Sequence, residues 1–462
     1  MAVIASDARI ADMQQTYPPR AAVISWIFFA WAAQPYFTLI TTFVFAPYFA
    51  THVAADSASG QALWGFATAA AGLMIALMSP VLGAIADRSG RRKPWIAAFG
   101  ALLVIGSCLM WFGKPGEPSV IPPLLLAYGV ATIGVELATV FNNAMMPSLV
   151  PPDKIGRLSG TGWATGYVGG VLSLLLVLGF LAASPETGRT LFGFVPLFGL
   201  DPVTHQGDRI TGPLTGIWFI IFVLPMFLLT PDYPARRRIS EALCEGLTDL
   251  RQTLRELPKQ KSMAAFLLAN MVYTDALVSL FTFGGIYAAG TFGWNTIQIG
   301  TFGILLAIAG TFGAWLGGKL DDSLGPKRVI AGSMLILLFA IVAILLVDKD
   351  SILFIKVAAP APDGALFAAA AERAYLVLGC MIGAAGGPLQ AASRTLLIYM
   401  APKDRIAQYF GLFALTGKVT SFVGPLLIGA ITAITASQKA GIAVLVVFFV
   451  AGLALLARVR EE

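Results

Sequence analysis

The sequence predicts an all-α integral membrane protein of twelve spanning helices, arranged as two six-helix halves related by a pseudo-twofold axis. Three observations carry that reading. Of 462 residues, 57% are hydrophobic and only 12% charged, about half the charged share of a soluble chain. Twelve stretches are long and apolar enough to cross a bilayer. Two internal matches then relate the first half of the chain to the second. So many apolar side chains could not be hidden in an aqueous core. That excludes a soluble enzyme, a disordered chain and a disulfide-stapled secreted domain.

The spans are expected at 22–50, 62–86, 94–112, 121–149, 158–183 and 213–230, then at 263–290, 296–318, 327–347, 372–400, 406–434 and 440–457. Span one carries Pro35 and Pro47, each expected to kink it. It lacks the basic start and short apolar core of a cleaved signal peptide, so it reads as a retained helix. With the N-terminus inside, 22 of the 31 Lys and Arg residues fall on the cytoplasmic side and seven outside, with Arg394 and Lys418 within spans. That asymmetry predicts both termini in the cytoplasm. It also accounts for the net charge of +6 without nucleic acid as a partner. Cys108, Cys244 and Cys380 show no metal or redox spacing, and His52 and His205 are each expected to lie far from a second ligand. No metal and no cofactor is expected.

The stretch 231–262 is the longest strongly charged one and divides an N-terminal half (1–230) from a C-terminal half (263–462). Arg236, Arg237 and Arg238 are expected at the inner headgroups. Leu243, Leu247, Leu250, Leu254 and Leu257 recur at helical spacing, which predicts an amphipathic helix on the membrane surface. The repeats fix the architecture. Gly83, Asp87, Gly90 and the basic residues of 83–93 superimpose on Gly318, Asp322, Gly325 and the basic residues of 318–328 at an offset of 235. Pro151, Asp153, Gly160, Thr165 and Gly166 superimpose on Pro402, Asp404, Gly411, Thr416 and Gly417 at an offset of 251. Two halves in parallel orientation follow.

The run Gly83-Ala-Ile-Ala-Asp87-Arg88-Ser-Gly90-Arg91-Arg92-Lys93, between spans two and three, resembles the signature loop of the major facilitator superfamily. Gly83 would let span two approach a neighbour closely. Asp87 can accept hydrogen bonds from a helix N-terminus, which the resemblance places on span eleven. Arg88, Arg91, Arg92 and Lys93 would hold the loop at an anionic leaflet. In the second copy Ser323 and Pro326 replace arginines, so the contact at Asp322 should be weaker. Within the superfamily the chain resembles the vacuolar-effluxer-like branch, which includes an autophagy-related amino-acid exporter of the fungal vacuole. The likeness runs through Trp64-Gly-Phe-Ala, Pro80 to Asp87, Gly156 to Gly170, Tyr273-Thr-Asp275, Gly386 to Arg394, and Phe410 through Gly424-Pro425. In span one the chain reads Phe29-Ala-Trp31-Ala-Ala33 where that branch usually has Tyr-Asp-Trp-Ala-Asn.

Ionisable groups in hydrocarbon are functional candidates by default. Four lie deep: Glu136, Asp275, Arg394 and Lys418. Glu136, Thr139 and Asn143 share a face of span four, and the 251 offset carries them onto Gly387, Gln390 and Arg394 of span ten. Trp31 and Gln34 on span one, and Tyr273 with Asp275 on span seven, complete a polar set. The resemblance implies that spans one, four, seven and ten line a central cavity. Asp275 and Lys418 lie equally far into their spans, which predicts a salt bridge between them. The expected function is alternating-access transport of a small polar solute, with an amino acid or related metabolite implied by the resemblance. The expected coupling ion is a proton. Uniport, or export of a drug, siderophore or sugar, is the alternative. No ATP-binding sequence is visible, nor the histidine-centred constellation a membrane enzyme would need. A transporter-like sensor should append a soluble effector domain, and none is expected here. The expected protein is a monomer in a bacterial inner membrane.

Overall fold

The computed structural model describes residues 17–460 except 56, 185–186, 238, 295, 354, 358–366 and 436. Arg238 and the tip of the 348–371 loop therefore lie outside the described residues, as does the Cys244 side chain.

Among the described residues, twelve helices are long and apolar enough to cross a membrane. Spans one to six are Arg20–Val53, Leu63–Ser89, Lys93–Phe112, Pro118–Ser148, Pro152–Leu181 and Gln206–Leu229. Spans seven to twelve are Lys261–Gly285, Gln298–Leu324, Pro326–Leu345, Ala370–Met400, Ile406–Thr432 and Gln438–Ala457. The chain is an integral, multi-pass membrane protein. Spans one, three, four and six pack within the first half, and seven, nine, ten and twelve within the second. Spans two and five of the first half meet eleven and eight of the second.

Proline sets two irregularities. Span one is α-helical through Pro35 and then widens into π turns over Tyr36–Phe43. Pro35 has no amide for the Trp31 carbonyl, and the Trp218 indole of span six donates to that carbonyl instead, at 3.1 Å. After a break at Val44, Pro47 sits in a short α turn, and π turns resume over Phe49–Val53. Span eleven is broken between its halves Ile406–Val419 and Val423–Thr435. Pro425 cannot donate to the Ser421 carbonyl, and its ring crowds that carbonyl, so the chain unwinds over the turn before it.

The crossings between halves obey the repeat. A Cβ on Gly83 of span two would collide with the Ala407 carbonyl, and one on Gly411 of span eleven with the Ser79 carbonyl. At the equivalent positions, a Cβ on Gly318 would stand 2.8 Å from the Gly156 carbonyl, and one on Gly160 would collide with the Ala314 carbonyl. Ser79 also donates to the Gly411 carbonyl at 2.9 Å. Only glycine permits backbones this close, so both crossings are tight at the end where residues 83–93 and 318–328 lie. Further along, Gly72 and Gly65 of span two and Gly417 of span eleven meet nothing within 4 Å. Toward the other end a Cβ on Gly303 of span eight would stand 2.9 Å from the Phe43 ring of span one, so the halves meet there through side chains rather than through glycine-paired backbones.

The linker contains the expected helix, Ile239–Glu256, and its leucines divide between a buried and an exposed face. Leu243, Leu247 and Leu254 are exposed, while Ala242, Leu250 and Thr253 are buried. Gly246 lies against the backbone of Ala84 and Ile85. The helix thus packs on span two along one face and leaves a row of leucines exposed on another. Small residues seat it on the end of span two, because a glycine admits closer packing than a leucine.

Candidate functional site

At the broken stretch of span eleven, Lys418 ends the first half-helix and reaches across to span four. Its Nζ donates to Glu136 Oε1 at 2.6 Å, the two side chains being 31% and 21% exposed. The pair joins the N-terminal half to the C-terminal half. The expected Asp275–Lys418 bridge does not form. Asp275 instead accepts the amide of Gly424 at 3.0 Å through Oδ2, capping the second half-helix. Equal depth fixes only the height of a side chain along the bilayer normal, and the break turns Lys418 toward span four.

Around Glu136 is a hydroxyl network that the sequence does not announce. Tyr36 OH lies 2.7 Å from Thr132 Oγ1, one turn before Glu136 on span four, and it donates to the Tyr128 carbonyl at 3.2 Å. Tyr128 OH lies 2.9 Å from Thr68 Oγ1 of span two. Spans one, two and four are thus tied by hydroxyl groups on the turns of span four that precede Glu136. Nothing but the hydroxyl-bearing residues one and two turns before Glu136 could have signalled it.

Arg394 meets its counterpart under the 251 offset. Nη1 donates to Asn143 Oδ1 at 3.0 Å and Nη2 to the Ser159 carbonyl at 2.8 Å. The guanidinium lies 5.2 Å from the Trp163 ring centroid, a cation–π distance. Residues exchanged by a twofold can touch only near its axis, so this contact sits between the halves. No carboxylate pairs with Arg394 among the described residues.

The two loops also correspond. Asp87, buried at 5% exposure, accepts the amides of Ala407 at 3.1 Å and Gln408 at 2.8 Å. Those amides begin span eleven, where a carboxylate faces the positive end of the helix dipole. Asp322 accepts the amide of Arg157 at 3.0 Å, and Arg157 is the residue that Gln408 becomes under the offset. The expectation that the arginines of the first loop lie at the leaflet is corrected for two of them. Arg92 is buried and pairs with Asp87, because a buried carboxylate holds the nearest cation. Arg88 pairs with Asp249 of the linker helix, Nη2 to Oδ1 at 2.8 Å. Arg91 is exposed, and Gly90 takes φ +89° in the turn.

Other candidates are placed away from a common centre. Trp31 stacks on Trp218 of span six at 5.9 Å, so its ring fills the first half. Gln34 packs against Gly166 and Gly170 of span five. Thr139 donates to its own helix at Val135. Tyr273 OH pairs with Ser393 at 2.7 Å inside the second half. Gln390 is partly buried one turn before Arg394. His52 and His205 are not isolated: their ring centroids lie 4.0 Å apart, and Asp208 is 2.9 Å from His205. The end of span one and the start of span six are neighbours, a proximity no sequence spacing records.

Twelve spans, two pseudo-equivalent halves and paired glycine crossings define the major facilitator fold of membrane transporters. The Escherichia coli fucose:proton symporter FucP superimposes with a TM-score of 0.69 at 13% identity, covering 96% of this chain and 98% of that one. Residues 61–462 match the family described as "Vacuole effluxer Atg22 like", and the chain belongs to that family. A relative from Bacillus subtilis, an uncharacterized MFS-type transporter, is 25% identical over 95% of this chain and 94% of its own length. Autophagy-related protein 22 of Yarrowia lipolytica is 24% identical over 76% of this chain and 57% of its own length.

Proposed function

We propose that this protein is a secondary active transporter that moves a small polar solute, an amino acid or related metabolite, by alternating access coupled to protons. The observation that carries this reading is the Glu136–Lys418 pair. It bridges the halves where span eleven is unwound, so a rocking of the halves must break it. A zwitterionic solute can take over both partners, its carboxylate meeting Lys418 and its ammonium Glu136. A proton on Glu136 releases Lys418 in the same way. Residues 1–230 and 263–462 then move as the two bodies, with Asp87 and Asp322 closing one end and the 231–262 linker joining them. The family description supports an effluxer.

Counterflow into proteoliposomes tests the reading. Internal unlabelled amino acid should accelerate entry of labelled amino acid, and an imposed pH gradient should drive accumulation. Absence of exchange for amino acids, with exchange for another solute class, would overturn the substrate assignment.

We further place both termini, the 83–93 loop and the linker in the cytoplasm of a bacterial inner membrane, with the protein a monomer. Ser59→Cys, ahead of span two, should label from the external face and be silent from the cytoplasmic face. Labelling only from the cytoplasm would invert the topology.

A further inference from the structure

Span seven carries two buried oxygens that the coupling scheme above does not use. Asp275 is 3% exposed and Ser279 is 0% exposed, and at four residues apart they share one helix face. Asp275 Oδ1 and Ser279 Oγ have no hydrogen-bond partner among the described residues. Both converge on Gly424, where a Cβ would collide with Ser279 Oγ and lie 2.9 Å from Asp275 Oδ1. Beside them span eleven is unwound between Val419 and Val423.

A carboxylate buried with a single amide donor and no cation is under-compensated in a low-dielectric surround. Two hard oxygens with one formal charge, and no imidazole or thiolate, suit a hard cation over a transition metal. A divalent ion would leave a net positive charge among apolar side chains. A monovalent ion cancels the charge of Asp275.

We propose that Asp275 and Ser279 bind a sodium ion between span seven and the break of span eleven, the close approach of Gly424 bringing the two oxygens to one point. Occupancy would fix span seven against the second half-helix of span eleven. A role in transport rests on the carrier reading above; the site itself does not.

The test is thermal unfolding of the purified chain in detergent at pH 8, in sodium chloride against choline chloride at equal ionic strength. Sodium should raise the melting temperature saturably by a few degrees, as a ligand of the native state does. Ser279→Ala should raise the half-saturating sodium concentration about tenfold, and Asp275→Asn should abolish the shift. Identical melting in the two salts, or a full shift surviving in Asp275→Asn, would overturn the proposal. A melting temperature indifferent to sodium but dependent on pH through Asp275 would assign the oxygens to a proton and equally overturn it. Should Asp275→Asn fail to fold, a full shift in Ser279→Ala and Gly424→Ala would overturn it. No transport is read, so failure of the carrier reading leaves this result standing.

Discussion

Glu136→Gln and Lys418→Met are each expected to lower concentrative uptake at least about tenfold, and each should destabilise the protein. Removing one partner of a buried ion pair strands the other, at a typical cost of about 3–5 kcal/mol. With 21% and 31% of these side chains exposed, the penalty belongs at the low end, about 3 kcal/mol. Loss of uptake in either single variant therefore separates nothing. The combination does. Glu136→Gln with Lys418→Met strands no charge, so stability should return to near the unmodified level. If the pair is a packing device, transport should return with it. If Glu136 carries the proton, or either residue holds the solute, the double variant should be stable and unable to concentrate. The second outcome is expected, measured as accumulation driven by a pH gradient beside melting in detergent. Normal concentrative transport in the stable double variant would reduce the pair to packing.

The twelve spans were legible because each is a run of apolar residues long enough to cross hydrocarbon, a demand no other feature can override. The half-repeat was legible too, and it reaches into detail: Gly83 and Gly318, or Asn143 and Arg394, occupy equivalent or mutually touching places. What the sequence withheld was azimuth. Counting residues from the membrane surface sets Asp275 and Lys418 at one depth, but not the direction each faces. That direction follows from Gly424-Pro425, whose proline unwinds span eleven and splits the two residues between Glu136 and the Gly424 amide. The dipeptide was visible as a family-like stretch, and its mechanical consequence was the missed signal. Trp31 fell outside the seam for a related reason. Pro35 frees its carbonyl, and Trp218 answers that carbonyl while stacking on its ring. A stripe on a helix wheel does not record which neighbour claims it.

At the closed end of the molecule, Asp87→Ala is expected to slow transport at least about tenfold, and Asp322→Ala by no more than about threefold. Both carboxylates cap the first turn of a helix in the opposite half, a contact typically worth about 1 kcal/mol. The difference lies in what each leaves behind. Asp87 also neutralises Arg92, whose side chain is 4% exposed, whereas the partner of Asp322 is Arg157, 60% exposed. Without Asp87 a guanidinium is stranded among backbones held together by Gly83 and Gly411. Water or separation of the halves must relieve it. Without Asp322, Arg157 turns to water at little cost. Access from this end should therefore rise in Asp87→Ala. A cysteine at Thr139, beside the Glu136 seam, should react several-fold faster with an impermeant thiol reagent applied from the side of the 83–93 loop, and should change little in Asp322→Ala. Asp87→Asn keeps an acceptor for the amides of Ala407 and Gln408 but not the charge, and should fall between. Equal reactivity in the Asp87 and Asp322 variants would show that the buried guanidinium does not hold this end shut.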